Sequence, residues 1–402
     1  MAAILSTWTI RTLAGNGVSG YSGDGGSASL ACLNEPKGVA LDCHGNVYVA
    51  DSENHVVRKI DRGTEVISTI AGQSVSDNAE MSNRSDGISM VTEEDPLADG
   101  DPTESSQSAY SQHSDLSGTV RYWTKSTSSS MRYGGDGEAA VCARLNFPTA
   151  VAVDRAGNIY IADTMNHRVR MVEAATGIIS TLAGTGQAGF SGDGGPADQA
   201  TLNEPAALII DERNRLYIAD QSNHRIRMID LNNGLIQTIA GTGATTYDGD
   251  GKPGIDAALA GPSGLALADD LLYIADTFNG RIRCLHLTSG EISTVAGDGA
   301  AYRYESPSDP PSPSLARPTG IAVGPTGDLF LTDSDNHLVR RWDQASGTAI
   351  CLAGNGAASY SGDGGAAQDA GLCYPFGIAV DCDGSLLVAD TFNHRIRILA
   401  LE

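Results

Sequence analysis

The sequence predicts an all-β protein, namely a six-bladed β-propeller of four-stranded antiparallel blades that the N-terminal strand closes. Three observations predict this fold: one phrase recurs six times, each copy holds four short apolar runs, and the two chain ends complement each other. The composition agrees, because 48 of 402 residues are glycine. Glycine without a collagen-like period indicates many tight turns between short strands.

The recurring phrase sets the number of blades. Its first copy begins at Leu33, passes the strand-like run that ends at Asp51, continues through Asn54 and Arg58, and ends at Gly72. The Asp that ends the second run recurs at Asp51, Asp163, Asp220, Asp276, Asp333 and Asp390. The intervals are 112, 57, 56, 57 and 57 residues, so the first holds one period plus about 55 extra residues. Six copies of one unit predict six blades.

Each unit reads as four short strands. Runs rich in Val, Ile, Leu and Tyr alternate with Gly, Asn and Asp turns, which is typical of antiparallel strands. The last copy stops after its third run, at residues 397–402, and residues 8–15 match the missing fourth run. We therefore expect the first strand to pair with the last three, because closing the ring leaves only short sheet edges.

One segment departs from the repeat. Residues 74–130, between blades one and two, are rich in Ser, Thr, Asp and Glu, and we expect a disordered insertion in an otherwise single domain that spans residues 1–402. A tolerated surface insertion explains it, although a phosphorylatable arm with Val120–Trp123 as a docking segment is the alternative.

Charge and cysteine usage narrow the class of protein. The 26 basic and 49 acidic residues give a net charge of −23, which disfavours nucleic acid and anionic membranes as partners. Seven cysteines, with no C-x-x-C pair, favour free thiols in a reducing compartment. The first residues lack a signal-peptide pattern, and no apolar run reaches the length of a spanning helix. These features predict a soluble, cytoplasmic monomer without membrane insertion.

Three runs, Asn166–Arg170, Asn223–Arg227 and Asn393–Arg397, resemble the NHL repeat, and imperfect copies begin at Asn54, Asn279 and Asn336. The motif Ser22–Gly26, repeated at Ser191–Gly195 and Ser361–Gly365, is similar to that of long-loop NHL proteins. The resemblance implies a propeller. It leaves function open, because the family includes RNA-binding and protein-binding propellers, kinase sensor domains and the propeller of the peptidylglycine amidating lyase.

Most of the repeated polar residues are interpreted as structural. A residue that recurs once per blade solves a problem of the blade, so the motif histidines are not expected to form a metal site. These are His55, His167, His224, His337 and His394. The Asp51/Arg58 pairs are expected to pin the turn between the second and third strands, and the Gly-Asp-Gly loops to be turns rather than calcium sites. A second set of arginines, Arg168, Arg225, Arg281 and Arg395, is the candidate basic ring for an anionic partner.

The candidate binding residues lie where the loops are long. The turns between the second and third strands and the loops between blades share one face, which we expect to be functional. The resemblance implies that the first strands line a central channel, so the residues after the recurrent Pro should rim it: Lys37, Thr149, Ala206, Ser263, Thr319 and Phe376. None is His, Cys, Asp or Glu, which weighs against the zinc site of the lyase. Blade five diverges at Tyr302, Arg303 and Tyr304, so these residues are candidates too.

These observations favour a non-catalytic propeller, without a cofactor or metal, that presents its loop-rich face to a protein or peptide. Two alternatives remain open. One is a metal-dependent lyase or hydrolase with its site at the central channel, and the other is RNA binding through the arginine ring.

Overall fold

The computed structural model describes residues 7–74, 133–300 and 312–401, together with the strand pairing of residues 113–114 and 120–121. The described residues of the propeller form six antiparallel sheets, and each sheet is one blade. The fold class predicted from the repeat is therefore confirmed.

The strands follow the chain from blade to blade. The first strand is β1 (Trp8–Ala14), and blade one has β2 (Pro36–Leu41), β3 (Val47–Asp51), β4 (Val56–Ile60) and β5 (Ile67–Ala71). The short strands β6 (His113–Ser114) and β7 (Val120–Arg121) follow, and blade two has β8 (Pro148–Val153), β9 (Ile159–Asp163), β10 (Arg168–Val172) and β11 (Ile179–Ala183). Blade three has β12 (Pro205–Ile210), β13 (Arg215–Asp220), β14 (Arg225–Asp230) and β15 (Leu235–Ala240). Blade four has β16 (Lys252–Pro253), β17 (Pro262–Ala268), β18 (Leu271–Asp276), β19 (Arg281–His286) and β20 (Glu291–Ala296); blade five has β21 (Pro318–Val323), β22 (Leu329–Asp333), β23 (Leu338–Asp343) and β24 (Thr348–Ala353); blade six has β25 (Gly365–Ala366), β26 (Pro375–Val380), β27 (Leu386–Asp390) and β28 (Arg395–Leu401).

All helices in the described residues are three-residue 3₁₀ turns of two kinds. One kind joins the second and third strands of each blade: Ser52–Asn54, Thr164–Asn166, Gln221–Asn223, Thr277–Asn279, Ser334–Asn336 and Thr391–Asn393. The other kind precedes a blade: Ala28–Leu30, Ala140–Cys142, Ala197–Gln199, Gly254–Asp256 and Ala367–Asp369. No helix in the described part of the chain is long and apolar enough to cross a membrane.

The N-terminal strand completes blade six, as the chain ends predict. Strand β1 pairs antiparallel with β28, with Trp8 opposite Leu401, Ile10 opposite Leu399 and Thr12 opposite Arg397. Ile10 is buried in a core cluster with residues of blades five and six. The first and last segments of the described chain are thus joined by main-chain pairing, which holds the ring closed.

The first strands of the blades lie innermost and contact one another around a closed circle. Glycine permits this approach. A Cβ built on Gly38 would lie 2.4 Å from the carbonyl oxygen of Thr149, and one on Gly320 would lie 2.2 Å from that of Phe376. The apolar core is divided among six clusters, each between two neighbouring blades. Each blade therefore buries the face of the next, because a single sheet could not bury both of its own faces.

The loops between blades protect the outer sheet edges. The loop before blade four pairs with its outer strand through β16 and β20, and the loop before blade six pairs through β25 and β1. Single bridges do the same in the other four blades: Ser27 with Val66, Ala139 with Ile178, Pro196 with Leu235 and Ser312 with Ala349. Covered edges cannot recruit a strand from another chain.

Within residues 78–132, the structure describes one feature, the antiparallel pairing of β6 with β7. Apart from the buried Ser74 and these two strands, the predicted disorder of residues 74–130 falls on residues outside the described ones, and it stays a prediction.

Candidate functional site

Every blade contains the same buried polar lattice. In blade three, Asp220 accepts the backbone N–H of Asn203 at 2.7 Å, the side-chain amide of Asn223 at 2.7 Å and Nη1 of Arg227 at 3.4 Å. Both charged side chains are completely buried, and burial raises the pKa of Asp220 to about 6. The other five pairs are Asp51 with Arg58, Asp163 with Arg170, Asp276 with Arg283, Asp333 with Arg340 and Asp390 with Arg397. The predicted pairs form, and they pin the second strand to the third.

The Gly-Asp-Gly loops contribute the outer end of this lattice. Nη2 of Arg227 donates to the Ser191 carbonyl at 3.0 Å and to Asp193 Oδ1 at 2.7 Å. In blade six, Tyr360 also donates to Asp363 Oδ2 at 2.9 Å. The loop carboxylates thus accept hydrogen bonds from side chains of the propeller, which fits the interpretation of these loops as turns. An aromatic residue stands three positions before this Asp in five loops, at Tyr21, Tyr133, Phe190, Tyr247 and Tyr360, a signal that the sequence analysis missed.

The recurring histidines join neighbouring blades. Nδ1 of His224 accepts the backbone N–H of Gly261 at 3.0 Å, and Nδ1 of His337 accepts that of Tyr374 at 3.2 Å. The same bond joins His55 to Phe147, His167 to Glu204 and His394 to Glu35. An accepting Nδ1 carries no proton. The motif histidines therefore have a structural role, and no group of three or more His, Cys, Asp or Glu within the described ranges is arranged to hold a metal.

The second set of arginines is engaged within the propeller as well. Nη1 of Arg225 donates to the Asn223 carbonyl at 2.8 Å and Nη2 donates to the Thr242 carbonyl at 2.6 Å. Its guanidinium carbon lies 3.8 Å from the centroid of the Phe190 ring. Arg168, Arg281 and Arg395 make the corresponding contacts with Tyr133, Tyr247 and Tyr360. The ring of arginines thus serves to clamp the loops between blades, which weakens the case for RNA binding.

The hydroxyl residues after the recurrent Pro face the next blade. Thr149 Oγ1 lies 3.1 Å from the carbonyl oxygen of Ala206, and Ser263 Oγ lies 3.2 Å from that of Thr319. Thr319 is buried, and its hydroxyl lies 2.5 Å from that of Ser334 and 3.4 Å from the Pro375 carbonyl oxygen of the next blade. These three candidates hold the inner strands together, whereas Ala206 contributes only a methyl group. Tyr302, Arg303 and Tyr304 lie outside the described residues.

Lys37 and Phe376 differ from the other post-proline residues, because they meet each other. The Lys37 ammonium lies 4.4 Å from the centroid of the Phe376 ring, 5.4 Å from that of Phe147 and 5.5 Å from that of Phe392. Glu35 Oε2 lies 3.6 Å from Lys37 Nζ, and the Lys37 side chain is only 12% exposed. Burial lowers the pKa of Lys37. The structure thus brings together two of the six predicted positions in a partly dry aromatic site.

Two further rings of residues surround this site, and neither was predicted from the sequence. One ring precedes the recurrent Pro: Glu35, Phe147, Glu204, Gly261, Arg317 and Tyr374. The other occupies the middle of the 3₁₀ turns: Glu53, Met165, Ser222, Phe278, Asp335 and Phe392. Glu35, Phe147, Glu204, Gly261 and Tyr374 have positive φ values between 47° and 57°. These rings could have been found in the sequence, because each occupies a fixed position of the repeat at which the residue type varies from blade to blade.

Contacts link the rings around the mouth of the channel, which is the end at which the first strands begin. Tyr374 packs edge-on against Phe392, with 5.3 Å between ring centroids. Arg317 lies over the Phe278 ring at 5.4 Å and within 3.8 Å of Asp335. Phe278 is 53% exposed. The channel mouth therefore offers aromatic, cationic and acidic groups on blades one, two, four, five and six.

A cavity lies at the opposite end of the inner strands. It measures about 410 Å³ and is lined by the turns after the first strands of blades four, five and six, including Asp269, Pro325 and Asp381. Asp381 is ion-paired with Arg62 of blade one at 2.6 Å. This cavity lies away from the aromatic mouth.

The geometry defines a repeat propeller of six blades, tied together by an Asp–Asn–Arg lattice and by histidine links. A family model for the NHL repeat matches residues 315–342 and 372–399, and one for the teneurin NHL domain matches residues 15–92 and 124–189. The chain therefore carries NHL repeats over the residues that these models match.

Curated relatives agree with this assignment. Protein SUPPRESSOR OF QUENCHING 1, chloroplastic, from Arabidopsis thaliana is 32% identical over 272 residues, which cover 65% of this chain and 25% of that protein. NHL repeat-containing protein 2 from Bos taurus is 29% identical over 287 residues, which cover 64% of this chain and 39% of that protein. The chain therefore spans less than half the length of either relative.

Among solved structures, a gluconolactonase from Xanthomonas campestris is similar with a TM-score of 0.53 and 13% identity, over 100% of this chain and 93% of that one. At this identity the likeness shows a shared fold, and propeller folds host both enzymes and binding proteins.

Proposed function

We propose that this propeller is a non-catalytic binding module that docks a protein or peptide at the channel mouth of its loop-rich face. One observation carries the proposal. The polar residues that recur in every blade are engaged in holding the blades together, whereas residues that depart from the repeat gather at the mouth.

The chemistry of the mouth suits a peptide. Aromatic residues and arginine dominate the binding energy of protein interfaces, because they bury large areas and also make polar contacts. Phe278, Phe392 and Arg317 supply such groups on blades four, six and five, and Phe278 is exposed. A rigid ring also holds these side chains in place, so that little order must be gained upon binding.

The test is selection from a displayed peptide library, followed by affinity measurement with variants. The double variant Phe278→Ala and Phe392→Ala should bind the selected peptides with an affinity lower by about tenfold or more, as expected when aromatic residues that dominate an interface are removed. Leu30→Gln is the matched control, since Leu30 is 73% exposed and its counterpart before blade three is Gln199. Equal binding by all variants would place the interface elsewhere.

Metal analysis tests the catalytic alternative. Stoichiometric zinc or iron in the purified protein, together with turnover that is lost when the metal is removed, would contradict a non-catalytic role. We expect binding to the selected peptides to be unaffected by chelators.

A further inference from the structure

Three phenyl rings at the channel mouth form an aromatic cage around one ammonium group. The rings of Phe376, Phe147 and Phe392 have centroids 4.4, 5.4 and 5.5 Å from Lys37 Nζ. The rings come from blades six and two, and the lysine comes from blade one, between them. Several aromatic rings within about 6 Å of a cation are the arrangement by which proteins recognise quaternary ammonium groups.

The present occupant of the cage belongs to the chain itself. The repeat does not require a lysine here, because the corresponding residues of blades two to five are Thr149, Ala206, Ser263 and Thr319. Those that carry hydroxyls bond to the next blade, whereas Lys37 extends into the aromatic site.

A nearby carboxylate offers the Lys37 ammonium a second position outside the aromatic rings. Glu35 Oε2 lies 3.6 Å from Lys37 Nζ and already pairs with the lysine inside the cage, whereas Glu53 lies close enough to interact with it electrostatically. Glu53 is exposed. A flexible four-carbon stem allows the ammonium to leave the rings and pair with Glu53 nearer to water.

We propose that the cage of Phe147, Phe376 and Phe392 is a binding site for a methylated ammonium group, closed in the unliganded protein by Lys37 and opened when Lys37 turns out of the rings toward Glu53. The ligand is a trimethyl-lysine side chain of a partner or a small quaternary amine of the choline class. In the peptide form the proposal rests on the proposed function.

Competition between the two cations makes the site gated. A quaternary ammonium is large and weakly hydrated, so it loses less by leaving water than a primary ammonium does, and it favours the rings. Lys37 is tethered beside the cage and competes at a high effective concentration. The affinity of the unaltered protein is reduced by the fraction of molecules in which Lys37 occupies the cage.

The test uses three probes and four proteins. The probes are a short peptide with one trimethyl-lysine, the same peptide with unmodified lysine, and choline. The proteins are the unaltered full chain, the variant Lys37→Thr, the double variant Lys37→Thr with Phe376→Leu, and the control variant Lys252→Thr. Threonine occupies the equivalent position in blades two and five, and Lys252 is exposed, so both replacements suit the fold.

We expect Lys37→Thr to bind the trimethylated probe about tenfold or more tighter than the full chain does, because the competing cation is gone. The Phe376→Leu change should abolish that gain while keeping an apolar side chain, and Lys252→Thr should bind as the full chain does. Thermal melting confirms that each variant is folded.

Two outcomes would overturn the proposal: no binding of any quaternary ammonium probe by folded Lys37→Thr, or a gain that survives Phe376→Leu. Tighter binding of the peptide than of choline identifies a side chain as the ligand, and the reverse identifies a small amine. If either outcome occurs while library-selected peptides without methyl-lysine still bind the mouth, the cage proposal fails and the proposed function stands.

Discussion

Arg227 is held by two carboxylates that differ in exposure. Asp220 is completely buried, whereas Asp193 at the other end of the guanidinium is 40% exposed. Removal of Asp220 takes the buried acceptor away from the Asn203 N–H, the Asn223 amide and Nη1 of Arg227, and the loss of one member of a buried ion pair costs about 3–5 kcal/mol. Water can replace an exposed partner, so its loss costs about 1 kcal/mol.

Asp220→Ala should therefore lower the free energy of unfolding several times more than Asp193→Ala does. Urea denaturation of both variants measures the difference. Asp220→Asn should recover part of the loss, since its amide oxygen can still accept the N–H of Asn203. Equal losses for both alanine variants would show that the buried end of the lattice is not the stronger one.

His337 makes the stability of the propeller dependent on pH. Burial lowers its pKa from 6.5 to about 4. The unfolded chain takes up a proton as the pH falls through 6.5 while the folded protein does not, so this contribution to stability is present above pH 6.5 and is lost as the pH falls toward 4. Between pH 7 and pH 5 the loss amounts to about 2 kcal/mol for this residue.

His337→Gly isolates this effect. Glycine occupies the equivalent position in blade four, where Gly280 has a φ of 58°, the same as that of His337. The difference in unfolding free energy between the unaltered protein and the variant should shrink by about 2 kcal/mol from pH 7 to pH 5. His44→Asn, at an exposed side chain, is the control. A difference that is constant with pH would contradict the assigned direction of the shift.

At the scale of elements, β1 closes the ring, and its removal should open it. Deletion of residues 1–15 exposes the hydrogen-bonding edge of β28, from Ile396 to Leu401. We expect the shortened chain to unfold or to associate through that edge. Light scattering and thermal melting measure both outcomes. Deletion of residues 1–6, which precede the strand, is the control. A monomeric variant that lacks residues 1–15 and keeps its melting temperature would refute this role of β1.

Elements also show how far the sequence could predict the structure. The recurring phrase predicts the blades, the turns and the closing strand, because each of these depends on local patterning. It does not reveal which neighbour a recurrent side chain reaches. His167 bonds to the N–H of Glu204, 37 residues on, whereas His55 bonds to that of Phe147 and His394 to that of Glu35.

The candidate site was predictable only in part for the same reason. Post-proline residues were expected to rim the channel together, but Thr149 and Thr319 turn toward the next blade, where they find backbone carbonyls. Lys37 has a longer side chain that reaches the aromatic residues instead. Residues that depart from the repeat lie at the candidate site, but the sequence does not show which of them contact one another, because they belong to blades that are distant along the chain.

At the scale of the whole molecule, one loop between blades is much longer than its counterparts. In four loops, five residues separate the glycine that ends the preceding blade from the aromatic residue, as between Gly184 and Phe190, whereas 60 residues separate Gly72 from Tyr133. Both loops begin with the same bond, from Gly72 N to the Ala140 carbonyl and from Gly184 N to the Ala197 carbonyl, each 3.0 Å long. The anchors of the long segment are thus those of a short one.

We therefore expect residues 73–132 to be replaceable by Thr-Gly-Gln-Ala-Gly, the sequence of residues 185–189. The shorter loop costs less entropy to close, by about 2 kcal/mol, so the melting temperature should stay the same or rise slightly. Proteolysis within residues 74–130 should likewise leave the propeller folded. Calorimetry of the loop-exchanged chain measures the first outcome. Aggregation or a large fall in melting temperature would show instead that this segment helps to hold blades one and two together. Peptide binding at the mouth by the exchanged chain then separates the propeller's own binding from docking through Val120–Trp123, since only the latter disappears with the segment.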